Sequence, residues 1–229
     1  MLREIFHEID YYLSKLSELH EELENAWKSK SNAIIADNDN ILFNEKGWDY
    51  DVRYPIISRS FMFVSVMAFV EARFETICRA IDEIAFDKFR LSNNNKSSCL
   101  FSKFIRRLIF RNEHTPKIIY LCDKFLKEKI GINYNSVSKT ELKLLSLIRN
   151  KIIHSNSVFN KKEIIKFNKR IQKVQKYNSI RFSDESSKVI IEKDFVHDVT
   201  LSYKQMFNEI NVQLIDKGII QKPSTMLDK

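Results

Sequence analysis

Apolar residues recur at spacings of three and four along most of this 229-residue chain, the periodicity of amphipathic α-helices. The pattern predicts a first helix over residues 2–30 and a polar loop over 31–54. A long helix then runs from Pro55 to about Asp87, because proline is well tolerated at a first helical position. Five further helices are predicted, over residues 100–111, 117–129, 140–153, 161–177 and a last one that is capped by Asp194 and ends before Gly218.

Two short segments depart from the helical period. Residues 179–182 and 189–191 are β-branched or aromatic, and the polar residues 183–187 separate them, so a small hairpin is predicted. The chain has only three glycines and three prolines, which disfavours a turn-rich β fold. The predicted class is therefore all-α, a bundle of long antiparallel helices with a small β-hairpin inserted near residues 179–191.

The length of the chain allows one substantial hydrophobic core, so a single domain is the expectation. This domain is predicted over residues 1–221. Residues 1–50 supply its N-terminal helix and loop, residues 55–217 supply its core, and residues 222–229 form a flexible tail.

The composition narrows the classes of function. A net charge of +8 favours a polyanionic partner. The three cysteines are odd in number, widely spaced and set among apolar residues, which predicts buried thiols in a reducing cytoplasm. Charged residues are mixed into the first ten positions and no apolar run approaches 18 residues, so neither a secretory signal nor a membrane span is expected. No glycine-rich phosphate loop is present, which excludes P-loop nucleotide hydrolysis.

The six residues from Arg149 to His154 (Arg-Asn-Lys-Ile-Ile-His) lie at the end of a predicted helix. Their side chains could bind and cleave a phosphodiester without a metal. The ribose 2′-hydroxyl can act as the nucleophile if one group moves protons and another steadies the charge on the phosphorane. His154 suits proton transfer, because histidine has the side-chain pKa nearest neutrality. Arg149 supplies a permanent cation that matches phosphate oxygens, and Asn150 can orient the imidazole or bind such an oxygen.

The helical period also fixes the directions of these side chains. Asn150 and His154 lie four residues apart on the polar face, whereas Arg149 falls inside the apolar arc. Arg149 and His154 point about 140° apart around one helix. Both groups therefore reach one phosphate only if the last turn unwinds or a second copy of the chain contributes. The alternative is a structural helix end, with His154 favoured by the helix dipole and Arg149 in an ordinary ion pair.

Glu71 is a second charged residue within an apolar face, that of the long helix from Pro55. A half-buried carboxylate needs a cation, so a pairing of Glu71 with Arg149 would satisfy both groups and hold the guanidinium in place. Equally, Glu71 can lie at the edge of the apolar stripe and reach water.

A basic segment follows the six-residue motif. It offers a possible RNA footprint, for which the candidate residues are Lys151, Lys161, Lys162, Lys166, Lys169 and Arg170. Such a run is more often the solvated face of a helix. The similar stretch from Arg111 to His114 has only two residues between arginine and histidine and lies beside Pro116, so it is interpreted as a loop.

With Arg149, Asn150 and His154 in this spacing, the chain resembles the HEPN superfamily, whose signature is an Arg, often followed by Asn, and a His four to six residues beyond. The order of elements over residues 50–217 is also similar, with a long apolar helix after Tyr54-Pro55, the motif helix, a basic segment, a hairpin and a closing helix. The resemblance implies a metal-independent endoribonuclease without a cofactor. It further implies a symmetric homodimer that brings two motifs into one cleft, and a role in toxin–antitoxin or anti-phage defence, with a cognate antitoxin or defence protein as partner.

Two other functions remain open at this point. A module of the same fold could bind RNA or a nucleotide, or scaffold a defence complex, without catalysis. A helical adaptor with no nucleic-acid role is the third possibility, but it would leave the net charge of +8 unexplained.

Overall fold

The computed structural model describes residues 1–36, 48–95, 118–155, 157–174, 176–177, 179–183 and 187–221. These residues form six α-helices and one two-stranded sheet, in the order α1 (Leu2–Ala36), α2 (Tyr54–Asn95), α3 (Ile118–Phe125), α4 (Lys139–Ser155), α5 (Lys161–Val174), β1 (Ile180–Phe182), β2 (Val189–Ile191) and α6 (Lys193–Asp216). Short π-helical turns precede α2 at Asp49–Arg53 and follow α3 at Leu126–Ile130. The mostly helical class predicted from the sequence is confirmed.

The first helix is longer than its pattern predicted. Helix α1 continues through residues 31–36, so the prediction of a loop was wrong there. The sequence Ala33-Ile34-Ile35-Ala36 contains no glycine or proline that would end a helix. Residues 37–47 of the predicted loop lie outside the described residues, whereas residues 48–54 are described. Four other predicted features also lie outside them: the helix over residues 100–111, the segment from Arg111 to His114, Cys99 and the tail.

Helix α2 is interrupted once. Asp82 has φ −161° and ψ 97°, which divides the helix into two segments. The Oδ1 atom of Asp82 accepts a hydrogen bond from the backbone N–H of Ala85 at 2.8 Å, the geometry of an N-cap. Asp82 therefore begins a new helical segment, which runs to Asn95 and so extends beyond the predicted end near Asp87.

The described residues divide into two compact units. The first unit falls within Met1–Glu8, Val70–Asn135 and Met206–Lys229. Its core includes Phe74, which packs edge-to-face on Phe207 with ring centroids 5.9 Å apart. The second falls within Ile9–Phe69 and Ser136–Gln205, and we call it the motif unit because it contains Arg149, Asn150 and His154. The single domain expected from the sequence remains a prediction.

Glycine ends two helical segments as the sequence predicted. Gly131 has φ 73° and donates its N–H to the carbonyl of Leu126, which closes the turn after α3. Gly218 has φ 70° and lies two residues beyond the end of α6. Helix α6 itself begins at Lys193, so Asp194 lies in its first turn and the prediction that Asp194 caps it was wrong.

The hairpin in the motif unit is confirmed. Strands β1 and β2 are antiparallel, with Ile180 opposite Ile191 and Phe182 opposite Val189. The chain that leaves α4 adds to this hairpin, because the N–H of Val189 donates to the carbonyl of Ser157 at 2.9 Å. Helix α4 thus ends against the hairpin, which fixes the position of the motif within its unit.

Three aromatic rings fill the space between the hairpin and the two helices that precede it. Phe159, Phe167 and Phe182 pack edge-to-face, with centroid separations of 5.3, 5.3 and 5.0 Å. Phe159 and Phe167 are 2% and 1% exposed. Pairs of this geometry contribute beyond their buried area, so the cluster holds the exit of α4, helix α5 and β1 together.

Among the described residues, one helical stretch, residues 49–92, is long and apolar enough to cross a membrane when judged by length and composition, because an 18-residue window within it has a mean hydropathy of 1.4. The core helix of a soluble protein passes the same test.

Candidate active site

The helix that carries the motif begins with a capping box. The backbone N–H of Ser138 donates to Oε2 of Glu141 at 2.6 Å, and the N–H of Glu141 donates to Oγ of Ser138 at 3.2 Å. The apolar face of α4 is then anchored by Leu142, Leu145 and Ile148, all fully buried. These contacts fix the rotation of α4 about its own axis, and hence the direction of every side chain in the motif.

The three motif residues differ in exposure. His154 is exposed, whereas Arg149 and Asn150 are half-buried. Helix α4 remains helical through Ser155, so its last turn does not unwind. Arg149 and His154 therefore stay about 140° apart around the axis. Of the two ways in which both side chains could reach one phosphate, an unwound last turn is therefore not seen, and a contribution from a second copy of the chain stays a prediction.

Lys151 has a structural partner inside the motif unit. Its Nζ lies 2.7 Å from Oε2 of Glu163 on α5 and 5.3 Å from the ring centroid of Phe159. The side chain of Lys151 is only 17% exposed. Lys151 was predicted to contact RNA, but these contacts tie α4 to α5 beside the motif. Its contact with RNA stays a prediction.

Glu163 serves two helices at once. Its Oε2 also accepts the backbone N–H of Asn160 at 2.9 Å, and Oδ1 of Asn160 accepts the N–H of Glu163 at 3.0 Å, which makes a capping box for α5. Partial burial alone would raise the pKa of Glu163, but the hydrogen bonds from Lys151 and Asn160 hold this pKa below its ordinary value. Sequence reasoning missed Glu163, although the signal Asn-x-x-Glu is present at residues 160–163.

The remaining basic candidates lie on α5. Lys161, Lys162, Lys166 and Lys169 are exposed, and Arg170 is half-buried. Positions 162, 166 and 169 follow each other at spacings of four and three, so they share one helical face. These lysines can neutralise several phosphates of one RNA strand. The same pattern is also found on helix faces that contact only solvent.

Two exposed apolar side chains lie at the end of α4. Ile153 and Val158 are 45% and 40% exposed. Ile153 lies four residues beyond Arg149, and therefore on the same face of α4. An apolar rim beside a charged motif is suited to contact with another protein surface.

Glu71 is half-buried on α2, as expected from its place in the apolar pattern. It belongs to the first unit and Arg149 to the motif unit, so their pairing stays a prediction. Among the described residues, no group of three or more His, Cys, Asp or Glu side chains could hold a metal ion.

Comparison with protein-family models, with curated proteins and with solved structures found no match for the chain.

Proposed function

We propose that the protein is a metal-independent endoribonuclease of the HEPN type, which acts as a toxin or in phage defence. The observation that carries the proposal is the exposed His154 at the end of a capped, intact helix. Asn150 lies on the same face of this helix, and the half-buried Arg149 directly precedes Asn150. These side chains provide proton transfer, orientation and a fixed positive charge.

Strand cleavage in the proposed reaction needs no co-reactant other than the RNA itself, and only the later opening of the cyclic phosphate consumes a water molecule. A base removes the proton of the 2′-hydroxyl, whose oxygen attacks the adjacent phosphorus, and the bond to the 5′-oxygen breaks. The leaving oxygen takes a proton, so the products are a 2′,3′-cyclic phosphate, which can open to a 3′-phosphate, and a 5′-hydroxyl. His154 transfers protons, Arg149 stabilises the negative charge of the phosphorane, and Asn150 positions its neighbours.

The proposal includes a homodimer with a composite cleft. It rests on the intact last turn of α4, which keeps Arg149 and His154 on different faces. The apolar rim of Ile153 and Val158 supports a contact at this end of α4. A two-fold axis beside that end would place Arg149 of one copy opposite His154 of the other. An antitoxin or defence partner would bind the same face to control the cleft.

The direct test is cleavage of total RNA or transfer RNA by purified protein in EDTA. Wild type should cut RNA and leave 5′-hydroxyl ends, while Arg149→Ala and His154→Ala should each abolish cutting without unfolding the protein. His7→Ala is the matched control, because His7 is exposed and lies in the first unit. Cleavage that returns only with added magnesium or manganese would refute the mechanism.

Mixing the two inactive variants tests the composite cleft. If each site takes Arg149 from one chain and His154 from the other, a heterodimer retains one complete site and partial activity returns. With subunit exchange verified by mass, no recovery would mean that each chain builds its own site or that both copies of each residue are required.

The second candidate is a non-catalytic RNA-binding module, favoured by the exposed lysines 162, 166 and 169 on one face of α5. It predicts that RNA is retained and uncut by wild type, and that affinity falls steeply with salt concentration.

A further inference from the structure

A pocket of about 290 Å³ lies within the motif unit, between α1, the π-helical turn, α2 and the start of α6. Its aromatic wall consists of Trp27 and Tyr50. Tyr54 stacks on Trp27 with centroids 5.4 Å apart and ring planes at 28°, and Nε1 of Trp27 donates to Oγ of Ser58 at 3.2 Å. Tyr50 also packs against the indole, with centroids 6.1 Å apart and ring planes at 37°. The indole is therefore held in place and half-buried, and its remaining surface lines the pocket.

A nearly buried ion pair forms another wall. The Nε and Nη2 atoms of Arg59 donate to the two carboxylate oxygens of Glu24, each at 2.7 Å, and these side chains are 14% and 8% exposed. Such a bidentate pair is rigid and electrically self-compensated. Nη1 of Arg59 also lies 3.8 Å from Oε2 of Glu192, which in turn pairs with Arg181, so these four charges balance and add no net charge to the pocket.

The edge of the pocket is left with an excess of positive charge. Lys28 and Lys193 are exposed there, against a single exposed carboxylate on Asp51. Neither lysine forms an ion pair with a residue that the structure describes. The backbone of Lys193 is fixed, because its carbonyl accepts a hydrogen bond at 2.9 Å from Nε2 of the buried His20. An aromatic wall beside two available cations matches a base that is joined to a phosphate.

We infer that this pocket binds one unpaired nucleotide, with its base against Trp27 and Tyr50 and its phosphate toward Lys28 and Lys193. Aromatic side chains stack on any base, and lysines neutralise the backbone, which is how proteins bind single-stranded nucleic acid. The size is near the lower end of small-molecule sites, roughly 300–1,000 Å³, and suits one nucleotide. That this nucleotide belongs to the strand cut at α4 rests on the proposed function.

A hydrogen bond and a short segment of chain connect the pocket to the motif. Ser157, three residues after His154, is hydrogen-bonded to Val189 at the start of β2. Lys193 follows four residues later, and an extended chain of that length spans at most about 13 Å. One nucleotide of a short RNA strand can therefore occupy the pocket while a phosphate a few nucleotides along the same strand lies at the end of α4. The substrate class this implies is RNA that is single-stranded on one side of the scissile bond.

Tryptophan fluorescence tests the inference directly. The chain has two tryptophans, so Trp48→Phe leaves Trp27 as the only one, and Trp48 itself is 57% exposed. His154→Ala is added so that RNA stays intact. We expect AMP and a six-nucleotide RNA to quench Trp27, adenosine to bind more weakly, and ribose 5-phosphate to leave the emission unchanged.

Charge reversal separates recognition from packing. Lys193→Glu should weaken AMP and RNA binding about tenfold or more, since a phosphate contact is replaced by repulsion. Lys88→Glu is the matched control, because Lys88 is exposed and belongs to the first unit. Equal binding by the two variants, with unchanged circular dichroism, would overturn the assignment of the phosphate. Absence of quenching by AMP at millimolar concentration, or equal quenching by ribose 5-phosphate, would overturn the pocket as a nucleotide site.

The two sources of a nucleotide are also distinguished. If AMP quenches and the RNA oligonucleotide does not, the pocket takes a free nucleotide and its assignment to the RNA strand is wrong. Binding is measured in the His154→Ala variant and does not depend on cleavage. Failure of the wild type to cut RNA would therefore refute the proposed function, and the fluorescence result would still show whether the pocket binds a nucleotide. Conversely, cleavage that persists in Lys193→Glu with unchanged KM would refute only the role of the pocket.

Discussion

Replacement of Glu163 should loosen the motif without removing a contact of Arg149, Asn150 or His154 that the structure shows. Glu163 accepts hydrogen bonds from Lys151 on α4 at 2.7 Å and from the N–H of Asn160 at the start of α5 at 2.9 Å. Glu163→Ala removes both bonds. Glu163→Gln retains an oxygen for the N–H of Asn160 but loses the charge that attracts Lys151. The pair of variants therefore separates the ion pair from the helix cap.

The size of each effect follows from these contacts. A helix cap contributes about 1 kcal/mol. The Lys151–Glu163 bond is charged and largely shielded, with side chains 17% and 30% exposed, so it contributes about 1–2 kcal/mol. We expect Glu163→Ala to lower the free energy of unfolding by about 2–3 kcal/mol and Glu163→Gln by about 1 kcal/mol. For a chain of this length, the melting temperature falls by about 2–4 °C for each kcal/mol.

Urea denaturation at neutral pH measures the loss, with Glu128→Gln as the control. Glu128 lies 3.7 Å from Lys124 in an ion pair whose side chains are 54% and 42% exposed, so its loss should change stability by less than about 0.5 kcal/mol. RNA cleavage by Glu163→Ala should fall with its stability, because the end of α4 loses its tie to α5. Identical unfolding curves for Glu163→Gln and Glu128→Gln would refute the reasoning.

The same ion pair predicts a dependence on pH. The pKa of Glu163 is held below its ordinary value of 4.5, so its contribution is complete above that value and is lost as pH falls through the lowered pKa. The difference in stability between wild type and Glu163→Gln should therefore shrink below about pH 4.5. A difference that stays constant to pH 3 would show that charge is not its origin.

Three further substitutions test the fold and the assembly. Phe167→Ala should cost about 3–5 kcal/mol, because the ring is 1% exposed, whereas Ile165→Ala, at 58% exposure, should change the unfolding midpoint little. Ile153→Lys should shift the protein from dimer to monomer in sedimentation, while Ile84→Lys, 69% exposed in the first unit, should not. Asp82→Ala should lower stability by about 1 kcal/mol in urea denaturation through loss of a helix cap, and no change would refute that role.

Features that depend on neighbouring residues were predictable from the sequence. The helical class, the hairpin and the left-handed glycines at positions 131 and 218 follow from periodicity and from the conformational freedom of glycine. The position of His154 at a helix end was predictable for the same reason, because the apolar stripe of α4 stops there.

Features set by contacts between elements were not predictable. The break at Asp82 lies inside a continuous helical pattern, and only the packing around it decides that the aspartate caps a new segment and does not stay within the old one. Lys151 looked like one member of a basic run, since the pattern does not reveal that it faces Glu163 across two helices. The aromatic pocket joins residues 27, 50 and 193, which no local period connects.

The bond between Ser157 and Val189 has a consequence during protein synthesis. It joins positions separated by roughly thirty residues, so the exit of α4 is fixed only after β2 has left the ribosome. A nascent chain that ends before β2 carries the motif on a helix that can be tied to α5 but lacks its bond to the hairpin. Because ribosomes add about 5–20 residues per second, this interval lasts a few seconds. If the protein is the ribonuclease proposed above, its motif is fully ordered only after β2 has been synthesised, a few seconds after His154 itself.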